Sequence, residues 1–183
     1  MGRRRCCDGS SNSATSARRP APGSTTIRPD RQRPTPLSRT SLPEGLDGLV
    51  VGIDHVGICV ADIDAAGAAW SSLLGSPVVD REDVAAQKTT AAFVRLAEPA
   101  AVELVCPMPG NAGLEKFLAK RGDAMHHVAF AVTDIREALR RLRDSGVPLI
   151  DESPRPGAGG HLVAFLHPKA MGGTLVELVE RHG

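Results

Sequence analysis

One pattern occurs twice in this chain, and it restricts the fold more than any other feature. Ile53-Asp54-His55-Val56-Gly57-Ile58-Cys59-Val60-Ala61-Asp62-Ile63 returns 72 residues later as Met125-His126-His127-Val128-Ala129-Phe130-Ala131-Val132-Thr133-Asp134-Ile135. Each copy sets a His at the start of a short alternating run. Each run closes on a polar residue, Asp-Ile and a helical pattern. Internal repetition of this kind points to a duplicated supersecondary unit and decides topology more firmly than local propensity.

The flanking sequence supports a repeat of the whole unit. Residues 50–60 read as a strand, and Asp62 opens a helical pattern to Leu74 that Gly75 is placed to end. Residues 76–81, 89–96 and 102–105 read as three further strands, and 114–121 as a connecting helix. The pattern then restarts with a strand at 127–132 and a helix at 134–144, with Gly146 past its end. A strand is expected to begin at 148–151, followed by a glycine-rich loop at 154–160, a strand at 162–166, a turn at 167–173 and a last strand at 174–179. The order is βαβββ twice, in repeats at about 50–107 and 124–180 of an α+β domain covering 49–183.

Side chains alternate between the two faces of a strand. His55, Gly57 and Cys59 therefore share one face, opposite Val56, Ile58 and Val60, while His127, Ala129 and Ala131 oppose Val128, Phe130 and Val132. The bulky set is expected under the helices, and the His set, with its small neighbours, at an open concavity. Strict alternation sends His126 to the opposite face, as a structural residue. Val102-Glu103-Leu104-Val105 and Val176-Glu177-Leu178-Val179 each carry one acid in an apolar run, 48 and 50 residues after their respective His. A buried carboxylate is costly unless paired or bound to a cation. Taken singly, each acid could sit at an exposed edge and each His in a satisfied core. At equivalent points of two repeats they suggest one shared cation, with His55, Glu103, His127 and Glu177 as ligands. Imidazole and carboxylate donors together suit divalent Co, Mn, Ni, Zn or Fe. His161 and His167, which flank one strand, could line the mouth of the pocket, but solvated loop positions are expected for them.

Residues 1–46 are different material. Nine Arg, many Ser and Pro and only three acids, Asp8, Asp30 and Glu44, surround apolar residues without period. Such a segment cannot bury enough surface to offset its ordering entropy, so a disordered basic extension is expected. Its prolines argue against an amphipathic targeting helix, and it has no apolar core for a secretory signal. A net charge of +1 gives no argument for a nucleic-acid partner, and no apolar run approaches the ~20 residues that span a bilayer. Cys6, Cys7, Cys59 and Cys106 include no CxxC pair, which fits a reducing cytoplasm better than a disulfide framework.

From Ile53 to Glu180 the sequence resembles the vicinal oxygen chelate superfamily and, within it, the methylmalonyl-CoA epimerases. Asp54-His55-Val56-Gly57-Ile58, Val102-Glu103-Leu104, Met125-His126-His127-Val128, Gly157-Ala158-Gly159-Gly160, Phe165-Leu166-His167-Pro168-Lys169 and Gly172-Gly173-Thr174-Leu175-Val176-Glu177-Leu178 carry the resemblance. It implies a glyoxalase-like domain with a metal site in a concave sheet, at the four positions reached from the repeat. It also implies a Co- or Mn-favouring centre, an acyl-CoA substrate, a homodimer, and epimerisation at C2 of methylmalonyl-CoA through a metal-stabilised enolate. Some relatives carry a Glu base on the third strand where this chain has Ala91. Glu103 and Glu177 are then the candidate catalytic groups. Lys169 and Arg155 are candidate phosphate contacts, although a solvated basic side chain accounts for each at least as simply.

Other functions fit the same fold. A glyoxalase-like isomerase or an epimerase of another acyl thioester would use the same four ligands. A dioxygenase needs only two His and one carboxylate, so Glu103 counts against it. A non-catalytic small-molecule-binding protein needs no ligand set at all, and Ala91 keeps that reading open.

Overall fold

The structure, a computed structural model, describes residues 45–97 and 100–182. The extension expected at 1–46 lies outside the described residues except for Gly45 and Leu46. Leu46 and Leu49 already pack against the buried cluster formed by the C-terminal repeat.

The first repeat comprises β1 (Val50–Cys59), α1 (Ile63–Leu74), β2 (Val78–Val84), β3 (Thr89–Arg95) and β4 (Ala101–Pro107). A connecting helix α2 (Ala112–Arg121) leads to β5 (Ala124–Val132), α3 (Ile135–Asp144), β6 (Arg155–Pro156), β7 (Leu162–Leu166) and β8 (Leu175–Glu180). The order is the expected βαβββ twice. The eight strands form one sheet in the order β2-β3-β4-β1-β5-β8-β7-β6. Its two halves are mirror images in strand order. They meet at the antiparallel β1–β5 pair, and each half closes on a parallel pair, β1–β4 and β5–β8.

Local chemistry accounts for the helices. Asp62 accepts the N–H groups of Asp64 and Ala65, and Asp134 accepts that of Glu137, which satisfies orphan donors in the first turn. Gly75 ends α1 with a left-handed φ of 65°, where a Cβ would be strained. One face of the sheet packs under α1 through Val60, Val94, Val102 and Leu104, with Ile58 against them. The matching face of the other half packs Val132, Ala164, Leu166 and Leu178 against Ile135, Leu139 and Leu142 of α3. The expected bulky face thus lies under the helices, and the odd-numbered acids and His residues fall on the other side.

One expected strand is absent. Residues 148–151 make only an isolated bridge, Leu149 to Leu166, and β6 is two residues long. Prolines at 148, 154 and 156 remove ladder donors. The Asp151 carboxylate instead accepts the Phe165 N–H, standing in for a backbone partner.

Candidate metal centre

His55 enters from β1, Glu103 from β4, His127 from β5 and Glu177 from β8, all four buried. Their strands are the four central ones of the sheet. The two Nε2 atoms face each other at 3.0 Å. Glu103 Oε2 lies 3.2 and 3.3 Å from the Nε2 atoms of His55 and His127, and Glu177 Oε2 lies 3.1 and 3.2 Å from them. One donor atom from each residue falls within 4.8 Å of all the others. Separations of 3.0–3.3 Å are those of neighbouring ligands each about 2.1 Å from a common ion. The nitrogen and oxygen donor set suits a divalent transition metal, so the cluster could hold one.

Each imidazole Nε2 lies within ion-pair distance of both carboxylates. Burial opposes charge on His55, but hydrogen bonds to Asp54, Glu103 and Glu177 push its pKa up to about 12. His127 is likewise buried, and its hydrogen bonds to the two glutamates push it up to about 9. Burial works to raise Glu103 and Glu177, but hydrogen bonds from the two imidazoles outweigh it and hold both below the usual carboxylate range.

The small residue expected beside the histidines has a specific use. A Cβ at Gly57 would stand 2.1 Å from Cε1 of His127, so the His127 ring occupies the space above that glycine. Phe93 meets His55 edge-on at 5.9 Å between ring centres, and Phe165 meets His127 the same way at 5.4 Å. Phe93 and Phe165 are themselves 72 residues apart, so the duplication extends to the walls of the site.

The cluster forms part of the wall of a cavity of about 850 Å³. Ala91 also lines it, at the third-strand position where the resemblance allows an acid. Arg155 reaches the cavity with its guanidinium 5.3 Å over the Phe165 ring and paired to Asp151 at 3.2 Å. Lys169 is exposed, outside the cavity lining. His167 accepts the Lys169 N–H and caps a short 3-10 turn. His161 is half-buried and lines the cavity, in place of the solvated loop position expected for it.

His126 also departs from expectation. Gly57 pairs with His127 but Ile58 pairs with Met125, so His126 is the extra residue of a β-bulge. A bulge breaks the alternation of faces and re-aims a side chain. The His126 ring therefore lines the cavity, with its Nδ1 3.0 Å from Nδ1 of His127. Two partners of the cluster were not anticipated from sequence: Asp54, whose Oδ1 lies 2.9 Å from Nδ1 of His55, and Arg181, whose Nε donates to Asp54 Oδ2 at 2.6 Å. The signal for the first was a polar side chain immediately before each repeated His.

The sequence model of the Glyoxalase/Bleomycin resistance protein/Dioxygenase superfamily matches residues 54–165. An ethylmalonyl-CoA/methylmalonyl-CoA epimerase of Cereibacter sphaeroides is 35% identical over 128 residues, covering 69% of this chain and 95% of that one. The crystal structure of methylmalonyl-CoA epimerase from Mycobacterium tuberculosis is similar with a TM-score of 0.71 at 38% identity, over 75% of this chain and 92% of that one. A methylmalonyl-CoA epimerase in complex with methylmalonyl-CoA and NH4+ superposes with the same TM-score at 31% identity, over 73% and 96% of the two chains. The chain therefore belongs to the glyoxalase/bleomycin resistance/dioxygenase superfamily, in its methylmalonyl-CoA epimerase family, and is an enzyme of the isomerase class.

Proposed function

We propose that this chain is a metal-dependent epimerase that interconverts (2R)- and (2S)-methylmalonyl-CoA. The observation that carries the reading is the buried quartet of His55, Glu103, His127 and Glu177 at the wall of a ligand-sized cavity. A similar epimerase structure that contains methylmalonyl-CoA supports the substrate class. These four residues would hold a divalent ion, with Co or Mn favoured by the family resemblance. A bound ion would supply Lewis-acid polarisation of the substrate and make its C2 proton easier to remove.

The protein's own groups do the rest. Phe93, Phe165, Val105 and Val179 line the cavity with apolar surface and limit water beside the reacting carbon. Epimerisation needs a base that removes the proton from one face of C2 and an acid that returns one to the other. Glu103 and Glu177 are proposed for these roles, because they reach the same point from strands on either side of the β1–β5 pair. Glu82 is a second source of a carboxylate. It pairs with Ala91 across β2 and β3, lines the same cavity, accepts the Gly159 N–H, and among the described residues has no ion-pair partner. Arg155, which lines the cavity, is proposed to meet an anionic part of the substrate.

The reading extends to a cytoplasmic homodimer. Two free thiols, Cys59 and Cys106, fit a reducing compartment, and the family resemblance supports the dimer. Among the described residues no helix is long and apolar enough to cross a membrane.

The test is deuterium incorporation at C2 of each epimer in deuterated water, with metal-stripped protein and after reloading with Co or Mn. Metal-dependent incorporation from both epimers is expected, and its absence with either metal and both epimers would end the proposal. If Glu103→Gln and Glu177→Gln both keep full turnover with metal bound, neither is the base, and loss of activity in Glu82→Gln would move the role there.

A further inference from the structure

We propose that Asp54 and His126 are a matched pair of positioning residues: each is turned toward the cavity by a one-residue bulge and accepts the Nδ1–H of the imidazole that follows it, fixing Nε2 of His55 and of His127 toward a shared ion. The inference rests on the metal-centre reading above.

The bulges are the first support. Along the β1–β5 pair, Ile53 faces Phe130 and His55 faces Ala129, so Asp54 is an unmatched residue in β1. Gly57 faces His127 and Ile58 faces Met125, so His126 is an unmatched residue in β5. The 72-residue offset that relates His55 to His127 also relates Asp54 to His126. Two bulges at equivalent points of two repeats are a repeated device, since a bulge sends two neighbouring side chains where alternation would allow one.

The contacts are the second. An imidazole that gives its Nε2 lone pair to an ion carries its proton on Nδ1, and that proton needs an acceptor. Asp54 Oδ1 lies 2.9 Å from Nδ1 of His55, and His126 Nδ1 lies 3.0 Å from Nδ1 of His127. Each acceptor is itself held. Arg181 Nε donates to Asp54 Oδ2 at 2.6 Å, and the His126 ring stands edge-on to Phe117 of α2 at 5.0 Å between centres.

The two acceptors differ in kind. A carboxylate makes a charge-assisted bond that is roughly twice as strong as a neutral one. His55 is therefore oriented more firmly and made the better donor, and His127 is held by a neutral ring packed on an aromatic side chain. Arg181, just beyond β8, links this orientation to the end of the last strand.

The experiment measures Co(II) affinity of the full-length, metal-stripped chain by competition with a chromophoric chelator, together with the visible spectrum of bound Co(II) and the Tm of the metal-free protein. Asp54→Ala, which removes the acceptor, should weaken Co(II) binding by about 10–100-fold, and His126→Phe by about 10-fold. His126→Asn, whose Oδ1 can replace the lost acceptor, should recover affinity toward that of the original chain. Arg181→Gln keeps the carboxylate and removes the guanidinium that holds it, so it should weaken binding less than Asp54→Ala while leaving a readable protein if Asp54→Ala does not fold. Each weakened variant should also shift the Co(II) spectrum. The proposal is overturned if Asp54→Ala or, in its place, Arg181→Gln, together with His126→Phe, binds Co(II) within about twofold of the original chain, or if only the metal-free Tm moves. An original chain that binds no Co(II) removes the metal centre itself, an outcome distinct from equal affinities.

Discussion

Gly57→Ala is the substitution whose consequence follows most directly from the geometry. An added Cβ would lie 2.1, 2.4 and 2.6 Å from Cε1, Nδ1 and Nε2 of His127. Ordinary carbon contacts begin near about 3.5 Å, so the ring must move by more than about 1 Å. It has no slack to do so. His55 stands edge-on to it at 5.2 Å between centres and Phe165 at 5.4 Å, while His126, Glu103 and Glu177 hold its two nitrogens. Overpacking at such a site costs about 1–3 kcal/mol. A Gly→Ala change in a tolerant backbone returns about 0.4–1 kcal/mol through the unfolded chain. A net loss of about 1–2 kcal/mol lowers Tm by several degrees in a domain of this size. The affinity for Co(II) should fall further than the 10–100-fold or so expected from losing an outer partner, because a ligand is displaced. Gly52→Ala on the same strand is the control. Neither glycine has a left-handed φ, and a Cβ at Gly52 meets nothing within 4 Å. Calorimetry of the metal-free protein and Co(II) titration read both effects. If Gly57→Ala matches Gly52→Ala in Tm and affinity, the placement of the His127 ring is wrong.

Protons and metal should compete at the centre. His55 and His127, raised to about 12 and about 9, are protonated near neutral pH in the metal-free chain. Metal binding should therefore release up to about two protons, and affinity should rise with pH; calorimetric titration in buffers of different ionisation enthalpy counts them, and a count near zero at neutral pH contradicts the charge state. The sign reverses for stability of the metal-free fold. A raised imidazole pKa stabilises fully below the ordinary value of 6.5, and that stabilisation is lost as pH rises through about 9 for His127. The metal-free Tm should thus fall on alkalinisation in that window, and the metal-loaded Tm should not follow it. Asp134→Ala removes the carboxylate that accepts the Glu137 N–H at the start of α3 and should cost about 1 kcal/mol, read by urea denaturation, with Co(II) affinity intact. Gly157→Ala would bring a Cβ within 2.6 Å of Val163 Cγ1 and should lower Tm by displacing β7 from the glycine-rich loop, whereas an unchanged Tm would show that Val163 rotates away.

The repeat made the architecture readable because the signals of each unit agree with one another. Strand periodicity, an Asp cap and a following strand cluster all recur in register, and the sheet that results has mirrored strand order in its two halves. The four donor residues were legible for the same reason: acids in apolar strands, at matched distances from matched histidines, converge on one buried cluster. Alternation failed at Asp54 and His126. A bulge is set by the partner strand, and a single strand's sequence does not display which of its residues will be unmatched. The strand expected at 148–151 failed differently. Its apolar residues suggest pairing, but prolines on either side withhold the donors, and Asp151 takes over one bond that the ladder would have made. The space under the His127 ring was visible only as a small residue; that Gly57 accommodates an imidazole rather than a ligand depends on the register between β1 and β5.

That register has one more implication. Each βαβββ half contributes one imidazole and one carboxylate, and the four atoms meet only where the halves join along β1 and β5. Either half alone would present a bidentate fragment, too poor in donors to keep a transition metal against solvent. An ion held there would act as a clasp across the joint and report that the two halves have docked in register. Its binding energy would add directly to the free energy of keeping them together, by mass action. A slip of one residue between β1 and β5 would turn His127 to the opposite face and scatter the four donors, so correct pairing is a precondition for any ion to be held there.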